Sequence, residues 1–287
     1  MRYRLWESFR AVFYTPYYAA LALDSFGRHG LQVEFAAVPP GRHIGTALRE
    51  GDVDVVWGGP MRIMLDRHEN PESDTVGFCE VVARDPFYLL SREPRPDFQL
   101  EDLTRLRLAT VSEVPTPWMC LQEDLRRAGI DPDSIQRHTG GTMPENLAAL
   151  RAGTVDVIQI FEPWVEQALL AGDASICHVA ADGGLTSYTT LYTRRPVLQQ
   201  HPDVAEQFVR GIYDAQRWIA AHDAGALADL VRDFFPDLEG PVLTGGIRRY
   251  LDNSVWRRTP WLEREGFERQ AAGLSSGGLI GPPPAYE

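Results

Sequence analysis

The sequence contains no lysine, since all 28 of its basic residues are arginine. This absence excludes a Schiff-base lysine, a phosphate-binding loop that ends in Gly-Lys-Ser/Thr, and a catalytic lysine. We therefore expect any anionic ligand to be bound by arginine or by backbone amides.

Cysteine is also scarce, and its three copies, Cys79, Cys120 and Cys177, lie far apart without a CxxC pair. This spacing favours buried thiols over a zinc site or a disulfide framework. The seven histidines show no HxH or HxxxH spacing. These patterns predict no metal ion, no cofactor and no catalytic residue.

Long hydrophobic runs are missing as well. No stretch approaches the roughly 20 apolar residues of a membrane span, and the start, MRYRLWESFR, has no signal-peptide core. The net charge of -12 opposes binding to nucleic acid. We expect a soluble protein with no membrane insertion, whose 287 residues and 44% hydrophobic content suffice for two folded domains.

A repeated segment divides the chain. ALREGDVDVV at 47–56 returns as ALRAGTVDVI at 149–158, with seven of ten letters identical. Strands and helices alternate on both sides of each copy, which predicts two α/β lobes that share one helix-to-strand junction. Asp54 and Asp156 lie at the beginnings of the matched strands, so we expect them to form structural bonds and not a catalytic pair.

Two segments rich in β-branched and aromatic residues, 75–93 and 186–195, are predicted to cross between the lobes. The first lobe then comprises 1–92 and 188–287, including a helical C-terminal extension, and the second comprises 93–187. Ligands of open α/β sheets bind beyond the carboxyl ends of the strands. The predicted cleft loops are therefore 8–15, 57–60, 111–116 with 138–142, and 161–164.

Several residues of these loops are candidate ligand contacts. Gly58 and Gly59 offer free backbone amides, and the helix that starts at Thr142 could bind an anion or simply be capped. Arg10 is the best-placed cation, although a solvated surface arginine is the alternative. Glu162 could accept hydrogen bonds from an amine of the ligand or from the following helix. The full candidate set is Trp6, Ser8, Arg10, Phe13, Tyr14, Trp57, Gly58, Gly59, Ser112, Thr116, Gly141, Thr142, Glu162, Trp164 and Tyr188.

Three segments carry a resemblance to a known family: TPYYAALALDSFGRHGLQVEF at 15–35, ALREGDVDVVWGGP at 47–60 and ALRAGTVDVIQIFEPW at 149–164. Over residues 3–195 the chain resembles the periplasmic-type solute-binding proteins of sulfonate, nitrate and thiamine-pyrimidine uptake. The resemblance implies a two-lobed, type II periplasmic-binding-protein-like fold that closes over a small ligand, with an ABC permease as partner.

The same family includes two enzymes, a thiamine-pyrimidine synthase and a desulfinase. Their cysteine patterns are missing here, because the three cysteines are scattered and the loop 8–15 contains none. We therefore predict a solute-binding protein for a small, flat, polar or anionic molecule such as a sulfonate, a carboxylate or a pyrimidine. The alternatives are a cytoplasmic enzyme, with Glu162, His43 or Cys120 as its reactive group, and an intracellular ligand sensor. The localisation stays open, since the family is periplasmic and no export signal precedes the first strand.

Overall fold

The computed structural model of this chain describes residues 2–286. Ten strands in this part of the chain form two mixed sheets of five strands each. The strands are β1 (Arg2–Glu7), β2 (Gln32–Ala37), β3 (Val55–Gly58), β4 (Thr75–Arg84), β5 (Tyr88–Ser91), β6 (Leu108–Ala109), β7 (Arg137–His138), β8 (Val157–Ile160), β9 (Ser175–Val179) and β10 (Leu185–Arg194).

Helices cover both sheets, as the predicted α/β class requires. They are α1 (Thr15–Ala22), α2 (Ser25–Arg28), α3 (Ile44–Glu50), α4 (Met61–Glu69), α5 (Thr116–Arg127), α6 (Met143–Arg151), α7 (Trp164–Leu170), α8 (Arg195–Gln200), α9 (Pro202–Ala221), α10 (Ala224–Val231), α11 (Gly240–Asp252) and α12 (Arg264–Ser276). Between residues 2 and 286, none of these helices has the length and apolar character needed to cross a bilayer.

The two sheets have matching topologies. The first has the order β2-β1-β3-β10-β4 and the second the order β7-β6-β8-β5-β9. The first three strands of each order run parallel, and the fourth is antiparallel to its neighbours. That fourth strand always arrives from the other sheet, so each crossing of the chain ties the two lobes together.

The chain changes sheets at 85–87, between β4 and β5, and at 180–184, between β9 and β10. The sequence pattern predicts lobe boundaries after residues 92 and 187. Both fall later than the observed changes of sheet, the first because the apolar run from 75 to 91 gives no sign that it is two strands in different sheets.

The repeated junction forms the same hydrogen-bond pattern in both lobes. In the first, the backbone N–H of Arg4 donates to Oδ2 of Asp54 over 2.8 Å, and the Arg4 guanidinium donates to both carboxylate oxygens and to the carbonyl of Gly51. In the second, Arg107 makes the equivalent bonds to Asp156 and to the carbonyl of Gly153. These bonds confirm that Asp54 and Asp156 are structural.

The glycines of the junction are required by the backbone. Gly51 has a φ of +75° and Gly153 a φ of +70°, a left-handed conformation that a side chain would strain. Each glycine ends a helix and turns the chain so that its carbonyl meets the arginine. The arginine then fixes the start of one parallel strand against the start of the next.

The C-terminal helices contact both lobes. α11 packs on α10 and on α7, whereas α12 packs on β10 of the first sheet and on α5 of the second lobe. Arg269 of α12 forms an ion pair with Asp124 of α5, and both side chains are mostly buried. The helical extension therefore packs on elements of both lobes and connects them outside the two crossings.

We predict that Asp156→Asn lowers the free energy of unfolding by about 1 kcal/mol at neutral pH, as expected for an ion pair that is partly open to solvent. The Arg107 hydrogen bond lowers the pKa of Asp156 from 3.8 to about 2. The stabilisation is therefore complete above the ordinary pKa and is lost as the pH falls towards about 2.

Urea unfolding of both proteins between pH 2 and 7 measures this difference. Asp97→Asn, at an exposed position, is the matched control and should leave the stability unchanged. A destabilisation by Asp156→Asn that persisted undiminished at the lowest pH would contradict the role of the ionised pair.

Candidate functional site

A cavity of about 560 Å³ lies between the two sheets, at the carboxyl ends of β1, β3, β6 and β8. Loops from both lobes and from the helical extension line it. The lining residues are Ser8, Phe9, Arg10, Ala11, Val12, Arg62, Glu113, Val114, Met143, Phe161, Pro163, Trp164, Phe234, Phe235, Pro236, Asp237 and Leu238.

A larger cavity, of about 1250 Å³, lies on the outer side of α4 and is partly covered by the C-terminal tail. None of its lining residues falls between 79 and 194, so the second sheet and its loops do not reach it. We take the smaller cavity as the candidate site, because only that one is built from the strand ends of both lobes.

On the first lobe, Arg62 supplies a positive charge to the cavity. It lies in the first turn of α4, and its side chain forms no hydrogen bond or ion pair with any other residue in the described range 2–286. The hydroxyl of Ser8 lies nearby, 3.4 Å from that of Tyr14. Burial raises the pKa of Tyr14 to about 12, and the charge of Arg62 opposes that rise. Arg62 is thus available to an anionic ligand.

Arg10 also lines the cavity, but its charge is used within the protein. It forms an ion pair with the buried Glu7, whose other oxygen accepts a hydrogen bond from Tyr18. Its guanidinium lies against the rings of Tyr18 and Phe234, and it donates to the carbonyl of Phe234. Arg10 therefore holds the loop 234–238 in place at the cavity.

The second lobe and the extension contribute two carboxylates. Glu113 follows β6 and accepts a hydrogen bond of 2.9 Å from the backbone N–H of Met143, the first residue of α6. Asp237 lies in the loop before α11, and its side chain contacts no cation in the described part of the chain. Both carboxylates are exposed to the cavity and to solvent.

Glu162 is not among the lining residues, although its neighbours Phe161 and Pro163 are. Its side chain is fully buried and accepts hydrogen bonds from Arg249 of α11 and from the backbone N–H of Glu166, each over 2.9 Å. Burial raises the pKa of Glu162 to about 7, while Arg249 and the Glu166 amide lower it. Of the two partners that the sequence allows for Glu162, an amine of the ligand and the following helix, the structure shows the helix, through the Glu166 amide, together with an ion pair to Arg249.

Two glycines of α11 make this pair possible. A Cβ at Gly245 would lie 2.2 Å from Oε1 of Glu166, and one at Gly246 would lie 3.2 Å from side-chain atoms of Glu162. Arg249, one turn further along the helix, also pairs with Glu166. The Gly-Gly sequence therefore lets α11 pack closely on α7, next to the cavity wall.

Of the fifteen candidate residues, Ser8, Arg10 and Trp164 line the cavity. Thr142 caps α6 in a capping box with Glu145. Its hydroxyl accepts a hydrogen bond from the backbone N–H of Glu145, and its own backbone N–H donates to the Glu145 carboxylate. Trp6 packs on the other face of the first sheet, beside Ile44. The remaining candidates that are buried in the protein interior are Phe13, Tyr14, Trp57, Gly58, Thr116 and Tyr188.

The buried aromatic candidates have partners other than a ligand. Trp57 stacks between Tyr17 and Phe35, with ring centroids 4.5 Å and 4.9 Å away. Phe13 packs edge-on against Phe161 across the lobes. Gly58 fits closely against Tyr192 and Ser8, while Gly59, Ser112 and Gly141 lie at the strand ends without lining the cavity.

The reactive groups of the enzyme alternative lie outside the cavity. Cys120 is buried, and burial together with Asp85 and Asp124 raises the pKa of its thiol well above the ordinary value. His43 is exposed at the start of α3. Within residues 2–286, no cluster of three or more histidine, cysteine, aspartate or glutamate side chains could hold a metal ion.

Sequence reasoning missed Arg62, Glu113 and the loop 234–238. Arg62 did carry a signal, because a cation in the first turn of a helix is disfavoured by the helix dipole and so calls for another explanation. Glu113 directly follows the candidate Ser112. The loop 234–238 carries no local signal, since only the packing of the C-terminal helices brings it to the cavity.

Comparison with known proteins agrees with this architecture. The profile of the NMT1-like family matches residues 9–231, well over half of the chain. The chain belongs to the NMT1-like family. The protein named "Putative binding protein YtlA" from Bacillus subtilis (strain 168) is 26% identical over 270 residues, which cover 91% of this chain and 79% of that protein.

Two solved structures share the fold of this NMT1-like protein. The periplasmic aliphatic sulphonate binding protein SsuA from Escherichia coli is 19% identical, with a TM-score of 0.78 over 98% of this chain and 94% of its own. The alkanesulfonate-binding protein SsuA from Xanthomonas axonopodis pv. citri, bound to MOPS, is 16% identical, with a TM-score of 0.71 over 99% and 94%. The predicted two-lobed, periplasmic-binding-protein-like fold is confirmed.

We predict that Arg249→Met destabilises this NMT1-like protein by about 3 kcal/mol at pH 8, because Glu162 and Glu166 would then face each other without a cation. Below the raised pKa of Glu162, which burial sets at about 7, that carboxyl takes up a proton and the penalty shrinks. Denaturant unfolding at pH 8 and pH 5 measures the difference.

Arg248→Met is the matched control, since Arg248 is the exposed neighbour on the same helix. It should leave the stability unchanged at both pH values. Equal losses for Arg249→Met at pH 8 and pH 5 would contradict the buried-carboxylate account.

Proposed function

We propose that this member of the NMT1-like family is a solute-binding protein whose lobes close on a small polar or anionic molecule in the 560 Å³ cavity. The single observation that carries the proposal is the construction of this cavity, with walls from the strand ends of both lobes and an unpaired arginine on one of them. A cavity built in this way binds a solute only when both lobes contact the solute at the same time.

In this proposal, Arg62 binds the anionic group of the solute, with the hydroxyl of Ser8 beside it. The rings of Phe9, Phe161 and Trp164 offer apolar walls against which a flat or aliphatic body packs. Arg10 shapes the site through the loop 234–238 and does not contribute a free charge. No side chain of the cavity is proposed to break a bond.

We take the segments 85–87 and 180–184 as the hinge, because within residues 2–286 they are the two connections between the strands of one sheet and those of the other. Closure about these segments changes the surface that both lobes present together. We propose that an ABC permease recognises the closed form, which makes this chain the substrate-binding component of an uptake system. A sulfonate, as bound by the two SsuA proteins, is one chemistry that Arg62 would accept, and carboxylates and pyrimidine-like solutes are the others proposed.

We predict that Arg62→Met weakens binding of an anionic solute by about 10- to 100-fold, since one charge-assisted hydrogen-bonded pair is lost. Isothermal titration with a panel of sulfonates, carboxylates and pyrimidines identifies the solute and measures the change. Small-angle X-ray scattering of the saturated protein reports whether the lobes move.

Arg67→Met is the control on the same helix, because Arg67 lines the outer cavity and not the one between the lobes. It should bind the solute as the unaltered protein does. A solute whose affinity is the same with and without Arg62 would refute the placement of the anionic group.

A further inference from the structure

Four ionisable side chains line the cavity: Arg10, Arg62, Glu113 and Asp237. Their formal charges cancel, which is unexpected for a site that would bind a simple anion. The balance matters because a carboxylate next to a bound anion lowers its affinity, whereas a carboxylate next to a cationic nitrogen raises it.

The partners of these four groups differ. Arg10 is neutralised by Glu7, with an Nη2–Oε1 distance of 2.7 Å and Glu7 only 1% exposed. Arg62 makes no such pair within residues 2–286, and neither Glu113 nor Asp237 has a cationic partner there. The charges left for a ligand are therefore one cation, Arg62 of the first lobe, and two carboxylates, Glu113 of the second lobe and Asp237 of the helical extension.

The amides at the start of α6 do not offer a second place for an anion. Glu113 accepts the hydrogen bond of the Met143 N–H, and the side chain of Glu145 accepts that of the Thr142 N–H. The Thr142 hydroxyl accepts from the Glu145 N–H in turn. These amides are occupied by the protein's own oxygens.

Apolar side chains complete the lining of the cavity. The cavity that the charged residues line is also lined by Val114, Phe161, Trp164 and Leu238. Aromatic rings there also favour a nearby ammonium group through cation–π attraction. The lining thus combines one unpaired cation, two carboxylates without a cationic partner and several apolar side chains.

From this arrangement we infer that the cavity selects a zwitterionic solute, a small molecule that carries a carboxylate or sulfonate and a cationic nitrogen on an apolar body. The anionic group binds Arg62, and the nitrogen donates to the free oxygens of Glu113 and Asp237. The inference rests on the proposed solute-binding function and names the class of solute.

Two matched sets of probes test the inference by isothermal titration of the full chain. The first is 3-aminopropane-1-sulfonate with propane-1-sulfonate and propan-1-amine, and the second is 4-(aminomethyl)benzoate with 4-methylbenzoate and 4-methylbenzylamine. We expect a zwitterion to bind at least about tenfold more tightly than both singly charged analogues of its set.

An anion that binds as tightly as the zwitterion of its set would overturn the inference. If Arg62→Met weakens the binding of that anion, the proposed solute-binding function still holds. An amine that binds most tightly would also overturn it, as would the failure of both zwitterions to bind at about 10 mM. A different result would refute the proposed function: compounds of the broader panel bind, but Arg62→Met changes the affinity of none of them.

The paired variant Glu113→Gln/Asp237→Asn supplies a second measurement. It should weaken binding of the zwitterion about tenfold or more and leave the affinity for the matching anion equal or improved. Asp233→Asn, an exposed position outside the cavity, is the control, and thermal unfolding checks that each variant is folded. Parallel losses for zwitterion and anion would contradict selection by the carboxylates.

Discussion

The arginine–aspartate pairs at the starts of the parallel strands are the constraint on which the two lobes depend. Arg4 with Asp54, and Arg107 with Asp156, fix the register of neighbouring strands at the amino ends. The carboxyl ends, and the loops that follow them, are thereby set at the other edge of each sheet. One electrostatic junction, used twice, therefore determines where the cavity walls stand, although none of its residues touches the cavity.

A separate ion pair, between Glu162 and Arg249, holds the cavity wall of the second lobe in place. Glu162 follows β8, but its carboxylate turns away from the cavity to Arg249, and the glycines at 245 and 246 let α11 approach closely. The neighbouring Phe161 and Trp164 line the cavity instead. On the first lobe, the Glu7–Arg10 pair does the equivalent for the loop 234–238. Buried ion pairs position the walls, and the groups without partners are the ones proposed to bind the solute.

The fold class and the cleft followed from sequence pattern, because strand and helix periodicities, the repeat and the loop positions are local features. Ser8 and Trp164, which line the cavity, are among the residues that this pattern predicts. The partners of a side chain are not a local feature. The sequence around Glu162 does not indicate its ion pair with an arginine 87 residues away, and the sequence around Phe234 does not indicate its hydrogen bond with Arg10. The first crossing was placed late for the same reason, since β4 and β5 read as one apolar run although they lie in different sheets.

The most direct test of the account is a crystal structure of the protein with a solute that titration shows to bind. The account predicts the solute between the lobes, with its anionic group on Arg62 and its body against Trp164. A solute bound outside the interlobe cavity, or one whose anionic group lies away from Arg62, would contradict the central claim.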